Sequence, residues 1–377
     1  MAAPHFRRIL GLWVAAAAMT PPAKALLEFN DGRDKIAVTA GYGISYDSNL
    51  FAHSGGGGDY NQSLSLSVNY TRRAGLIGVT GSIGVSSGRF GKYTGQDFTN
   101  PTCELEFSKD RGRLTGGVSL SAQRVSSSDV AINQRTDSWN YGGAIRCRYP
   151  INDRYYFSSL SDFSLTDYVN NPSLFNLSSY SEAVDVYYRY TSKLDLLGGY
   201  RIRAGSAAGG SNTLDNALTC GATGAVLPKL SGTVRLGYQW RNETGAGGGT
   251  YSSVTSSVSL TWPATKRITL SSSASKDFVT AATDVSVDTT SFNLSASVKP
   301  TGKASLNTGA GYTISRFLGA KGAGREDRAL SLEVGGSYTL TTHISASISY
   351  AFSVNHSNVA YSDFARHTAG LTLSARY

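Results

Sequence analysis

Between residues 146 and 241, seven arginines (Arg146, Arg148, Arg189, Arg201, Arg203, Arg235, Arg241) share the polar phase of an alternating pattern with three aspartates, Asp162, Asp185 and Asp195. Guanidiniums in such excess can do one of two things. Ranged along a wall, they favour the passage of anions, as rings of Arg or Lys do in channels. Facing the aspartates, or set at a rim beside lipid phosphates, they keep a polar interior wet and rigid and touch no solute. Both readings stand at this point. From about residue 250 the same phase turns to Thr255, Ser257, Ser259, Thr269, Ser271, Ser273, Ser295, Ser297, Asn307, Ser345, Ser347, Ser349 and Thr372. Such an uncharged, hydroxyl-rich surface suits sugar hydroxyls.

Other chemistry has little footing. His53, His356 and His367 fall near the outer rim and His343 in a short turn, and no Gly-x-Ser-x-Gly elbow accompanies His367. Only His367, on the apolar phase with Ala369 and Leu371, could serve a lipid-facing Ser–His pair, which needs a third, orienting group. The sequence predicts no enzyme, no metal and no cofactor. Cys103, Cys147 and Cys220 are an odd number without C-x-x-C and predict no disulfide framework. The glycine runs at 55–58 and 247–249 precede no helix and read as loop tips rather than phosphate cradles.

These side chains need strands to place them. Leu64, Leu66, Val68 and Tyr70 alternate with Ser63, Ser65, Ser67 and Asn69; Trp139 to Tyr149, Leu230 to Trp240 and Ile344 to Phe352 repeat the pattern. Period two puts successive side chains on opposite faces, one apolar and one polar. Tight turns begin at 72, 110, 150, 191, 228, 263, 300 and 341, and each interval holds two strands and one more variable loop. Four of the six prolines beyond residue 25 open such turns and none falls inside an alternating run, as expected of a residue that cannot donate to a ladder. Eight short turns and nine longer loops predict 18 strands.

Composition agrees. Of 377 residues, 42 are Gly and 22 Tyr; 40% are hydrophobic and 16% charged, against about 45–50% and about 25% in soluble domains. That excludes a compact soluble enzyme, and 11% aromatics exclude disorder. Residues 1–25 read as a secretory signal peptide: Arg7 and Arg8, an apolar run from Ile9 to Met19, then Ala23-Lys24-Ala25. The run is too short for a membrane helix of about 20 residues. Residues 26–377 then carry six excess positive charges, too few to imply nucleic acid but able to meet lipopolysaccharide phosphates.

The expected fold is all-β: one closed antiparallel transmembrane barrel of about 18 strands, apolar outside and polar inside, in the outer membrane of a Gram-negative bacterium. Two aromatic girdles support it. Tyr70, Tyr149, Tyr155, Tyr188, Trp262, Tyr338 and Tyr377 mark the periplasmic edge; Tyr46, Trp139, Trp240, Phe278, Phe292 and Phe352 mark the outer edge. A barrel this wide, on the order of 35 Å across, encloses water. No loop exceeds about 14 residues, so the expectation is a wide lumen without a deep constriction, closed from the periplasm by an export partner.

The closing segment, 368–377, resembles the C-terminal β-signal of bacterial outer-membrane proteins, with Leu371 and Leu373 alternating towards a final aromatic, Tyr377. The resemblance implies recognition by the barrel-assembly machinery. Tyr46-Asp47-Ser48-Asn49-Leu50-Phe51 is similar to the stretch after the first strand of porin-like barrels of exopolysaccharide export systems. That resemblance implies a passive conduit for an anionic or neutral polysaccharide, with the arginine arc as its track. The alternatives are a diffusion porin for small solutes and a non-transport surface or adhesion barrel.

Overall fold

The computed structural model describes residues 27–377 apart from 74, 170, 246 and 247. The signal peptide expected at 1–25 lies outside the described residues. A short strand, β1 (Leu27–Phe29), pairs with the start of β2 (Asp34–Asp47). From β2 to β19 (Phe364–Arg376), 18 antiparallel strands each pair with their neighbours in sequence. The last pairs with β2 from Thr368↔Asp47 to Arg376↔Thr39 and closes the cylinder.

The faces follow the alternation. On β3 (Asp59–Arg72), Leu64, Leu66 and Val68 point out and are exposed, while Ser63, Ser65 and Ser67 point in. On β18 (Ile344–Ser357), Ile348 and Tyr350 are exposed on the outside. The exterior is thus apolar and the interior polar, the division expected of a membrane barrel. Glu182 on β9 (Leu177–Arg189) brings a carboxylate to this outer face, where Ser159 Oγ (2.6 Å) and Ser161 Oγ donate to it.

All eight short turns fall where the sequence places them, and four are built alike. Thr191, Thr265, Thr301 and Thr341 each accept, at Oγ1, the backbone N–H groups two and three residues on, at 3.0–3.3 Å. The hydroxyl mimics a turn carbonyl and fixes the reversal without a left-handed residue. Asn152 Oδ1 does the same for Arg154 and Tyr155, at 2.9 Å.

The wall is interrupted beside β13 (Thr250–Trp262). β13 and β14 (Ile268–Thr280) pair only from Ser256↔Lys276 to Trp262↔Leu270. Above that level β14 keeps its ladder with β15 (Ser286–Val298) up to Thr280↔Ser286, and β15 keeps its own with β16 (Ala304–Phe317). The β14–β15 end has therefore left β13 and curled into the barrel. Two findings fix its position inside. Phe278, expected in the outer girdle, is instead 1% exposed, with the Arg241 guanidinium 5.4 Å from its ring centroid. The hydroxyl of Ser253, on the inner face of β13, donates to Asp288 of β15 at 3.2 Å. The expectation of an unobstructed lumen is thus corrected: a strand end, not a long loop, narrows it.

Candidate functional site

The ten charged residues singled out by alternation all lie on the inner face, and the structure divides them. On β10 (Leu194–Ala207) and β12 (Leu230–Thr244), Arg201, Arg203 and Arg241 converge on two carboxylates. Asp277, at the root of the curled hairpin, takes two bonds from Arg201 (2.9 and 2.8 Å) and further ones from Arg203 (3.1 and 3.3 Å). Asp215 on β11 (Asn212–Leu227) lies between Arg203 (2.8 and 2.6 Å) and Arg241 (2.6 and 2.8 Å). The same guanidiniums donate to the hairpin backbone, Arg203 to Phe278 O (2.7 Å) and Arg241 to Val279 O (3.0 Å). An inward-turned strand end exposes backbone carbonyls that no ladder satisfies, and these arginines supply the missing donors.

A second pair sits nearer the periplasm. Arg235 forks onto Asp185 (2.7 and 2.8 Å) and also donates to the Tyr187 hydroxyl (2.8 Å). Asp185 and Arg235 are on β9 and β12, so the carboxylate must lie across the strands between them. Gly199 of β10, directly opposite Asp185, makes this possible: a Cβ there would stand 1.9 Å from Asp185 Oδ1. Arg146 pairs with Glu106 (3.0 Å), both about half exposed inside the barrel, which marks an open aqueous vestibule at this level. Arg148 lies on the Tyr156 ring (4.0 Å), Asp195 accepts the Tyr156 hydroxyl (2.7 Å), and Arg189 donates to Asp153 O (2.9 Å). Asp162 faces the lumen from β8 (Tyr155–Val169).

Alternation could have found Asp215, which shares the phase of Thr213 and Thr219, and Asp277, which continues Thr269, Ser271 and Ser273. Their partnership with the arginines depends on the hairpin leaving the wall, and the local trace of that is a charged pair on the otherwise apolar phase, Lys276 with Asp288 (2.7 Å).

Loop tips complete the narrowing at the end opposite the short turns. The β14–β15 tip packs Ala281, Val285 and Val287 against Ala131 and Phe317. Ala131 belongs to the hairpin of β6 (Thr115–Asp129) and β7 (Gln134–Pro150), about half the ring away. Arg325, in the loop after β16, ties that loop to the same hairpin, donating to Ala131 O (2.6 Å) and pairing with Asp327 (2.6 Å). Asn133, at the same tip, donates to Ala52 O (2.7 Å) and accepts from Ser362 Oγ (2.6 Å), so the β2–β3 and β18–β19 loops join the crossing. Asp284, held at φ 60° in the tip, accepts from Ser211 N (3.1 Å), Ser211 Oγ and Lys321 Nζ (2.6 Å). Burial pushes its carboxyl up, but the Lys321 ammonium and the Ser211 donors outweigh that and hold it below its ordinary value.

The Tyr46–Phe51 stretch has a local task in this assembly. Asp47 receives a fork from Arg366 (3.0 and 2.5 Å) and the Asn49 N–H (3.0 Å), while Leu50 is 1% exposed. At the other end of the last strand, Leu371, Leu373 and Tyr377 all face outward, and Tyr377 exchanges backbone bonds with Val38 at 2.8 and 2.9 Å. The three cysteines are free thiols on the outward phase.

Residues 199–377 match the family model described as "Putative beta-barrel porin 2". No curated protein sequence matches the chain. Among solved structures, the chain is similar to the outer membrane protein OpdK from Pseudomonas aeruginosa: 11% identity, TM-score 0.49, covering 91% of this chain and 99% of that one. It is also similar to OccK2 (OpdF) of the same organism, solved in complex with glucuronate, at 13% identity and TM-score 0.49, covering 91% and 97%. OccAB3 of Acinetobacter baumannii matches at 10% identity and TM-score 0.46, covering 91% and 99%. The chain is a closed antiparallel 18-strand β-barrel whose residues 199–377 match a porin family model. The export-system resemblance finds no support in these matches.

Proposed function

We propose that the chain is a passive diffusion channel for small polar solutes, rather than a conduit for polysaccharide. The observation that carries this reading is the inward turn of the β14–β15 end, held by Asp277, Asp215 and three arginines across a lumen that is otherwise polar and wet. A polymer conduit needs a clear bore. A diffusion pore needs a bore narrowed at one level, where solute size and charge are selected, and an open vestibule beside it. The half-exposed Arg146–Glu106 pair lies in such a vestibule. The narrowing also removes the reason for a periplasmic gating partner, which was inferred from an unobstructed hole.

Lipid and lipopolysaccharide would cover the apolar exterior, and Leu371, Leu373 and Tyr377 would present the assembly signal to the barrel-assembly machinery. Reconstitution in planar bilayers tests the channel. Stepwise conductance is expected, with liposome swelling in small sugars and none in large dextrans. Loss of surface polysaccharide on deleting the gene, with small-solute uptake unchanged, would restore the export reading.

A further inference from the structure

Two arginines of the arc, Arg148 and Arg189, take no part in the network at the mouth. Both line a cleft of about 490 Å³ at the periplasmic end of the lumen, together with Tyr156, Lys193, Asp195 and Thr223. That volume falls within the range of small-molecule sites. The lining holds three cations and one carboxylate, and the carboxylate is already engaged by the Tyr156 hydroxyl at 2.7 Å. Arg189, cross-strand from Asp195, donates to a neutral carbonyl rather than to a carboxylate. No ion pair of Arg148, Arg189 or Lys193 occurs among the described residues.

The cleft is also built to stay in shape. The Arg148 guanidinium lies 4.0 Å from the centroid of the Tyr156 ring, and Tyr156 stacks on Tyr187 at 4.5 Å and 7°. Tyr156, Tyr187 and Leu197 form a buried apolar cluster. Arg235 holds the far side of the column through the Tyr187 hydroxyl. Lys193 stands in a turn fixed by Thr191 Oγ1. The cations therefore stand on an ordered base instead of on mobile loops, and a guanidinium fork beside an ammonium matches a carboxylate or phosphate.

We propose that this cleft is a binding site for small oxyanions, carboxylates or phosphates, at the inner end of the lumen. The proposal rests on the channel reading and names the class of solute the channel detains. Its test is single-channel recording with citrate or inorganic phosphate on the short-turn side, against a neutral trisaccharide as control. Citrate and phosphate should interrupt the current in a concentration-dependent manner, and the trisaccharide should not. The stronger blocker identifies the preferred oxyanion. Lys193→Ala and Arg189→Ala, both near the turn, should each weaken block by up to about tenfold, as expected for one partly exposed charge. A conducting channel that neither anion blocks, or block unchanged in the double variant, overturns the site and leaves the channel standing. Titration calorimetry on the detergent-solubilised barrel separates the opposite case: citrate binding lost in the double variant, without conductance, keeps the site and overturns the channel.

Discussion

At the scale of the residue, the decisive group is one carboxylate serving two guanidiniums. The side chains of Asp215 and Arg241 are 1% and 2% exposed, and Arg203 also turns to Asp215. Removing one member of a buried pair leaves the other charge without compensation, at a cost of about 3–5 kcal/mol. Asp215→Ala should lower the unfolding free energy of the detergent-folded barrel, read from its urea transition, by that amount, and a change below about 1 kcal/mol would contradict the burial. Gly199→Ala should break only the Asp185–Arg235 fork, because its methyl occupies the space of Asp185 Oδ1. Selectivity should then shift while the mouth stays latched. Asp284 adds a pH dependence. Its folded value lies below the ordinary one, so it binds fewer protons folded than unfolded and stabilises the latch above the ordinary carboxylate range. The contact with Lys321 is lost as pH falls through the depressed value. Conductance should accordingly become noisier or larger only at strongly acidic pH, and Asp284→Asn should remove that transition.

At the scale of the element, the alternation that made every strand legible is also why the constriction was not. The polar phase runs on from Thr269 through Ser271, Ser273 and Ser275 to Asp277, while Ser272 and Lys276 interrupt the apolar one, so the sequence shows a strand but not which strand it pairs with. The turns were legible because their signals are local: a threonine or asparagine two residues ahead of the N–H it receives. The infolding is non-local. It depends on Asp277 meeting two arginines of β10, four strands back along the chain. Phe278 was read as a girdle aromatic for the same reason, since its phase is outward even though its strand is not in the wall. The two ends of β14 should therefore respond differently to change. Replacing residues 281–285 with a two-residue turn should leave heat-modifiable migration of the barrel intact and raise single-channel conductance several-fold. Unchanged conductance would show that the hairpin end does not set the bore.

For the whole molecule, closure of 18 strands makes a cylinder whose two ends carry different electrostatics. At the mouth, cations and carboxylates meet in near balance: Arg201, Arg203 and Arg241 with Asp215 and Asp277, Lys321 with Asp284, Arg325 with Asp327, Arg366 with Asp47. At the periplasmic end Arg148, Arg189 and Lys193 face Asp195 alone. Size selection and charge selection are thus separated along the axis. A passing ion meets a narrow, nearly neutral level and then a wider, positive one. Charges in a wide aqueous lumen are screened over about 10 Å at 0.1 M salt and about 3 Å at 1 M. Reversal potentials under a salt gradient should show a modest anion preference at low ionic strength that fades towards 1 M. A preference independent of salt would place the filter among the buried pairs of the mouth, and a cation preference would contradict the arrangement. Asp277→Asn should add positive charge at the narrow level and make the anion preference both stronger and less sensitive to salt.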